Sequence, residues 1–228
     1  MPSFSLRGLT LSLPQTALRG GLEQALSSGR YEHQEADAIL AHLRPGDRFL
    51  DLGAGLGFLC ALAARVVGEA AVTGVEAGPE TLALARANLS ANGFSGVRLI
   101  HGAATATAAG MADFGLRPAF WASALKGAGD WPANATVTRV PARPIAQLLA
   151  ETRPTVLSCD IEGAEAEVLA QPLPGVRLIV VELHPAVYGA AGTRALFGAL
   201  AAQGFAYHVL GSRGATVVFE RAAGGAVE

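Results

Sequence analysis

The stretch "RFLDLGAGLGFLCALAARVV", residues 48–67, restricts the fold of this chain more than any other. A short apolar run, glycines at 53, 55 and 57, and a helical segment apolar nearly all round follow one another without a spacer. Such a run reads as a strand buried on both faces, and such a helix reads as covered. The glycines fall where the chain must turn sharply. Without Cβ atoms they let a ligand approach the backbone, close to helix N–H groups left free for bonding. Strand, glycine turn and buried helix are the repeating unit of open α/β sheets.

The alternation continues along the chain. "AVTGVEA", "VRLIHGA", "PTVLSCD" and "RLIVVEL" read as further strands. "HQEADAILAHL", "GPETLALARANLSANG" and "PIAQLLAE" read as helices, the second framed by Pro79 at its start and Gly93 past its end. Thr193 is expected to N-cap "RALFGALAAQ". "AYHVL" and "ATVVFE" have only "GSRG" between them, too little for a crossover, so they predict an antiparallel hairpin. "FSLRGLTLSLP" predicts another at the N-terminus. One domain over residues 1–228 is expected, with an N-terminal hairpin region to about residue 44. An insertion over about 104–145 is too long for an ordinary connection.

Hydrophobic residues make up 51% of the chain and charged residues 16%, which excludes a disordered polymer. The net charge of −2 carries no footprint for nucleic acid or an anionic membrane. No run approaches the roughly 18 apolar residues of a membrane span. The expectation is a cytoplasmic protein with a small-molecule partner, no nucleic acid and no membrane. Cys60 and Cys159 sit in apolar segments and read as small buried hydrophobes.

The glycine loop narrows the ligand. Glu76 ends the second strand of the alternation, where an acid can accept both hydroxyls of a ribose. Small residues at "HGAA" leave room for a flat base. A pyrophosphate dinucleotide favours G-x-G-x-x-G, whereas the spacing here is G-x-G-x-G. Asp51 beside the loop would repel phosphate and attract a cation. S-adenosylmethionine carries a sulfonium and an ammonium and no phosphate, so it is favoured over NAD if Asp51 faces the ligand. Otherwise Asp51 orders the turn. A nicotinamide oxidoreductase and a non-catalytic adenosine-cofactor-binding protein stand as alternatives.

With "RYEHQE", "FLDLGAGLGF", "GVEAGPET", "ANLSANG", "CDIEGAEAEVL" and "VVELHP" in place over residues 30–185, the chain resembles the FkbM family of S-adenosylmethionine-dependent methyltransferases. The resemblance implies a Rossmann-like class I methyltransferase fold. That is an α/β architecture with a seven-stranded, mostly parallel sheet in the order 3-2-1-4-5-7-6 and helices on both faces. It implies methyl transfer to a small-molecule or sugar hydroxyl. Gly53, Gly55 and Gly57, with Ala54, would line the methionine part of the cofactor. Glu76 and Ala77 would meet the ribose side and Ala103 the adenine. Tyr31 and Glu32 would form part of an N-terminal lid.

An alcohol must lose its proton as it attacks, so a base beside the cofactor helps. Asp160, Glu162, Glu182 and His184 lie at predicted strand ends, and Asp160, Glu162 and His184 are the catalytic candidates. His184 suits a base through its ordinary pKa near 6.5; an orienting role is the equal alternative. Asp160 reads first as a cofactor contact, and Glu162 as a helix cap. Glu165 and Glu167 read as solvated helix positions. The same four strand-end groups are donors suited to Mg²⁺ or Mn²⁺, but no tight ligand spacing supports a metal, and none is expected. Phe114, Phe120, Trp121, Lys126 and Trp131 either stack on the acceptor or cover the core.

Overall fold

The computed structural model describes residues 1–117, 123–125 and 135–222. It opens with the hairpin β1 (Ser3–Leu6) and β2 (Leu9–Ser12), then α1 (Leu22–Ser27) and α2 (His33–His42). Next come β3 (Phe49–Leu52), α3 (Phe58–Val67), β4 (Val72–Glu76), α4 (Pro79–Ala91) and β5 (Arg98–His101). Four strands follow: β6 (Ala103–Thr105), β7 (Gly110–Leu116), β8 (Ala124–Leu125) and β9 (Thr136–Pro144). The rest is α5 (Ile145–Thr152), β10 (Val156–Cys159), α6 (Glu165–Val168), β11 (Leu178–Glu182), α7 (Pro185–Ala202), β12 (Phe205–Arg213) and β13 (Thr216–Arg221).

The main sheet has seven strands in the order β12-β13-β11-β10-β3-β4-β5. Counted along the chain from β3 and read from the β5 edge, this is 3-2-1-4-5-7-6. β13 runs antiparallel to both neighbours, and the remaining pairs are parallel. Each central strand splits its side chains between two layers by simple alternation. Phe49, Val156, Val180 and Val218 pack on the side of α2 and α3. Leu50, Leu157, Ile179 and Phe219 pack on the side of α5, α6 and α7. A sheet covered this way needs apolar residues at successive positions, which is why "LIVV" and "TVLSC" lack a polar face.

The structure departs from the sequence reading in three places. Residues 103–144 contribute a four-stranded sheet, β6-β9-β7-β8, where no strand was expected. β7 pairs with β9 from Gly110↔Ala142 to Leu116↔Thr136. Prolines 141 and 144 hid β9, and β7 ("GMADFGL") lacks the β-branched residues that mark a strand. Thr193 does not cap a helix: α7 starts at Pro185, kinks at Gly189, and the Thr193 hydroxyl donates to the Gly189 carbonyl at 3.0 Å. Glu165 is not solvated but fully buried. Among the described residues no helix is long and apolar enough to cross a membrane.

Candidate active site

The parallel strands β3, β4 and β10 bring their carboxyl ends together, and the chain leaves β3 through the glycine loop. Gly53 and Gly55 line a cleft at this edge; Gly57 does not. A Cβ on Gly53 would fall 1.9 Å from the Asp160 carbonyl oxygen, so the loop lies directly against the end of β10. A Cβ on Gly55 would meet the Tyr31 hydroxyl at 3.0 Å and Glu32 Oε1 at 3.3 Å. Gly57 instead faces α4, where a Cβ would meet Leu89 at 3.2 Å. Its bareness serves helix packing rather than the cleft.

Asp51 and Ala54 also lie behind the loop. Ala54 is buried in the core, and a Cβ on Gly74 would come within 2.9 Å of its side chain. Asp51 is 2% exposed. It sits on the face of β3 turned towards α3, where it accepts from the Cys60 thiol at 3.3 Å and from Ser158. Burial pushes its carboxyl up to about 6, against those two bonds. Asp51 neither lines the cleft nor orders the turn through backbone N–H groups. Its charge is still felt by Glu32 and Glu76, whose carboxyls it helps to raise.

The cleft is a partly enclosed hollow of about 650 Å³, a figure that takes in the open solvent at its mouth. Glu76 is fixed at its floor. Its Oε2 accepts from Gly55 N–H at 3.0 Å and its Oε1 from Gly78 N–H at 2.7 Å. Burial pushes this carboxyl up to about 7, even with those donors lowering it. Val75, Ala77, Gly102, Ala103 and Phe114 make a slot of mostly small side chains beside it. Tyr31 and Glu32 lean over Gly55, and Tyr31 is hydrogen-bonded to Glu32. Burial raises both their pKa values. Ser123, Leu125 and Phe114 come from the additional sheet. Phe120, Trp121, Lys126 and Trp131 lie outside the described residues.

The third group gathers around His184, at the N-terminus of α7. Its Nδ1 lies 3.0 Å from Glu165 Oε1, and the same oxygen accepts its backbone N–H at 3.0 Å. Glu165 Oε2 accepts from Gly163 N–H at 2.7 Å. Burial alone would raise the Glu165 carboxyl, but His184 holds it below the ordinary range. On the other side of the ring, His184 Nε2 is 3.7 Å from Asp160 Oδ1 and 3.5 Å from Glu162 Oε2. Burial opposes charge on the imidazole, but Glu165, Asp160 and Glu162 outweigh it and raise its pKa to about 9. At neutral pH, without a further cation, this shift favours the protonated ring. Burial pushes Glu162 up to about 7 and raises Asp160 well above the usual range, with Glu182 and Glu162 adding to the latter. Glu162 and Glu32 both hold a left-handed backbone, φ 54 and φ 45, which non-glycine residues adopt at a cost and mostly at functional sites.

A second cavity opens next to the cleft and shares Tyr31, Glu32, Asp160 and Glu162 with it. Glu35 and Glu182 complete its acid lining, opposite Gly20, Gly21, Leu22 and Ala25. Glu165 and Glu35 were missed as site residues. A charged residue deep inside the helical pattern "AEAEVLA" gives no signal that its partner lies across a strand end.

A 3-2-1-4-5-7-6 sheet, a glycine loop after its first strand and an acid after its second define a class I methyltransferase fold. Residues 51–208 match the Methyltransferase FkbM domain, and the chain belongs to that family. The family is one of S-adenosylmethionine-dependent methyltransferases. The chain is 38% identical over 76 residues to a ribosomal protein L11 methyltransferase of Thermus thermophilus, covering 32% of this chain and 29% of that protein. It is 38% identical over 95 residues to protein-L-isoaspartate O-methyltransferase 1 of Archaeoglobus fulgidus, covering 41% and 43%. The chain thus spans less than half the length of either relative. Trm5b from Pyrococcus abyssi shares the fold at a TM-score of 0.53 and 13% identity, over 94% of this chain and 54% of that one.

Proposed function

We propose that the chain transfers the methyl group of S-adenosylmethionine to a hydroxyl oxygen of a small molecule or sugar. One observation carries the reading. The described residues that line the cleft include four acidic side chains, Glu32, Glu76, Asp160 and Glu162, and among them there is neither lysine nor arginine. Such a lining offers a pyrophosphate no cationic partner, whereas a phosphate-free cationic donor favours the ionised form of these buried acids. In this reading Glu76 takes the ribose hydroxyls. Ala77 and Ala103 flank the adenine, and the backbone at Gly53 and Gly55 lies along the methionine part. Tyr31 and Glu32 cover it as a lid.

The acceptor enters from the second cavity, which opens to solvent beside the cleft and shares Tyr31, Glu32, Asp160 and Glu162 with it. The two protein methyltransferases named above match over too short a stretch to carry an acceptor across. The cofactor supplies an activated methyl carbon. The protein holds the acceptor oxygen in line with the C–S bond, at the roughly 3–3.5 Å of a near-attack geometry. The new C–O bond forms as the C–S bond breaks, the electron pair stays on sulfur, and neutral S-adenosylhomocysteine leaves. The hydroxyl proton passes to the carboxylates at the junction of the two cavities. His184, oriented by Glu165, faces those carboxylates.

Isothermal titration calorimetry with S-adenosylmethionine, S-adenosylhomocysteine and NAD⁺ tests the cofactor. The first two are expected to bind one per chain, and NAD⁺ is expected to give no heat of binding. Binding of NAD⁺ alone would overturn the reading. Transfer of a labelled methyl group to small hydroxylated acceptors, with none to protein, then tests the acceptor class.

A further inference from the structure

We infer that Asp160, Glu162 and His184 form a site for a divalent cation of the Mn²⁺ or Mg²⁺ kind, where the cofactor cleft meets the acceptor cavity. Each offers one donor atom, and the three atoms lie within 4.8 Å of one another. The separations of 3.7 and 3.5 Å from His184 Nε2 to the two carboxylates are too long for hydrogen bonds. A simple ion pair would close one of them to about 2.8 Å. Ligands about 2.1 Å from a shared ion stand roughly 3.0 to 3.4 Å apart. The two distances from His184 Nε2 exceed that range by only about half an ångström or less.

A second observation points into the same spot. Asp160 Oδ1 is buried and has no hydrogen-bond partner among the described residues. A buried carboxylate oxygen left without a donor is costly. The charged groups that act on Asp160 are further acids and the His184 ring. Glu182 and Glu162 add negative charge, and Glu35 adds more from the α2 side. A cation between the three donors satisfies that oxygen.

The outer partners fit as well. His184 gives its Nδ1 hydrogen to the buried Glu165, which leaves the Nε2 lone pair facing the carboxylates. Metal-ligating histidines are held in this way. An Nε2 proton and an ion compete for one place, and a divalent charge offsets more of the surrounding acids. One imidazole and two carboxylates are hard donors, which favours Mn²⁺ or Mg²⁺ over thiophilic metals. The role of the ion rests on the methyltransferase reading: it draws the acceptor oxygen towards the cofactor methyl and makes its hydroxyl more acidic. Once the ion has displaced to solvent the proton that Asp160 and Glu182 share, Glu182, outside the ligand set, is free to take the hydroxyl proton.

The test is Mn²⁺ titration of the full chain, read by loss of the free-ion electron paramagnetic resonance signal and by calorimetry. One Mn²⁺ per chain is expected. His184→Ala and Glu162→Gln should each weaken binding more than tenfold, and Glu165→Gln about tenfold, because it only orients the ring. Circular dichroism establishes that each variant is folded. The Glu162 side chain is partly exposed, so its variant stands should His184→Ala fail to fold. No uptake at millimolar Mn²⁺ overturns the inference, as does wild-type affinity in folded Glu162→Gln. S-adenosylhomocysteine titrated into the same samples separates the two readings. Cofactor binding without Mn²⁺ uptake removes the ion alone; Mn²⁺ uptake without cofactor binding keeps the ion and removes the cofactor assignment.

Discussion

Gly53→Ala is expected to abolish S-adenosylhomocysteine binding and to lower the thermal midpoint by about 10 °C or more. The added Cβ would sit 1.9 Å from a backbone carbonyl, that of Asp160. A flexible side chain could swing away, but this oxygen is fixed by the pairing of β10 with β3 and β11. Either the loop lifts or the end of β10 moves. The backbone adds to the penalty, because φ at Gly53 is 91°. Strain and overlap together cost about 4 kcal/mol. Gly93→Ala is the matched control. Its φ is 83°, and a Cβ there would meet nothing within 4 Å. It should lose only about 1 kcal/mol and keep its cofactor affinity. Differential scanning calorimetry and cofactor titration on both variants read the difference. Equal shifts in the two would mean that the contact with Asp160 has no consequence.

This loop was legible because its constraint is local. A strand, a turn that excludes side chains and a helix leave their mark within twenty residues, and the main sheet repeats that mark. Glu76 was legible for the same reason, since it closes a strand whose start and end are both visible in "AVTGVEA". What failed was direction. Asp51 lies one residue from the loop, yet strand parity turns it to the α3 side, where Cys60 and Ser158 hold it. Gly57 continues the glycine spacing, yet its turn has already rotated it against α4. Position along a motif gives proximity; which way a side chain points depends on the neighbouring strand or helix.

The His184 cluster shows the limit more sharply. Asp160, Glu162 and Glu182 were named beside it, but its chemistry was read from the ordinary pKa of an isolated imidazole. Glu165 raises that pKa, and Glu165 sits in a helix whose sequence looks amphipathic and exposed. Long-range pairing also hid the additional sheet. β7 is built of weak β-formers, and Pro141 and Pro144 masked β9 despite its β-branched start at Thr136–Val140, so their pairing was not announced locally. Through Phe114, Ser123 and Leu125 that sheet supplies one wall of the cleft.

Glu76→Gln is expected to weaken S-adenosylhomocysteine binding by about 10- to 100-fold and to flatten its pH dependence. The loss follows from charge-assisted hydrogen bonds, worth about 1.5–3 kcal/mol. Glutamine also presents an amide N–H₂ where the carboxylate accepts from Gly55 or Gly78. The pH dependence has a definite sign. In the free protein burial raises the Glu76 pKa from an ordinary 4.5 to about 7, with the neighbouring Asp51 charge adding to the rise. Ribose hydroxyls bind the ionised form better, so affinity in the wild type should fall as pH drops below about 7, by at most tenfold per unit. Folding stability runs the other way. A carboxyl raised in the folded state contributes most below its unfolded value, and that contribution is lost as pH rises towards 7. The apo protein should therefore lose stability through Glu76 over the same interval in which it gains affinity. S-adenosylhomocysteine is the proper probe because it lacks the sulfonium, which would otherwise add the titration of Asp160 and Glu162. Calorimetric titrations from pH 5.5 to 8.5 read both variants. A Gln variant that kept the wild-type slope would place the ribose away from Glu76 and leave the floor of the cleft without its assigned ligand.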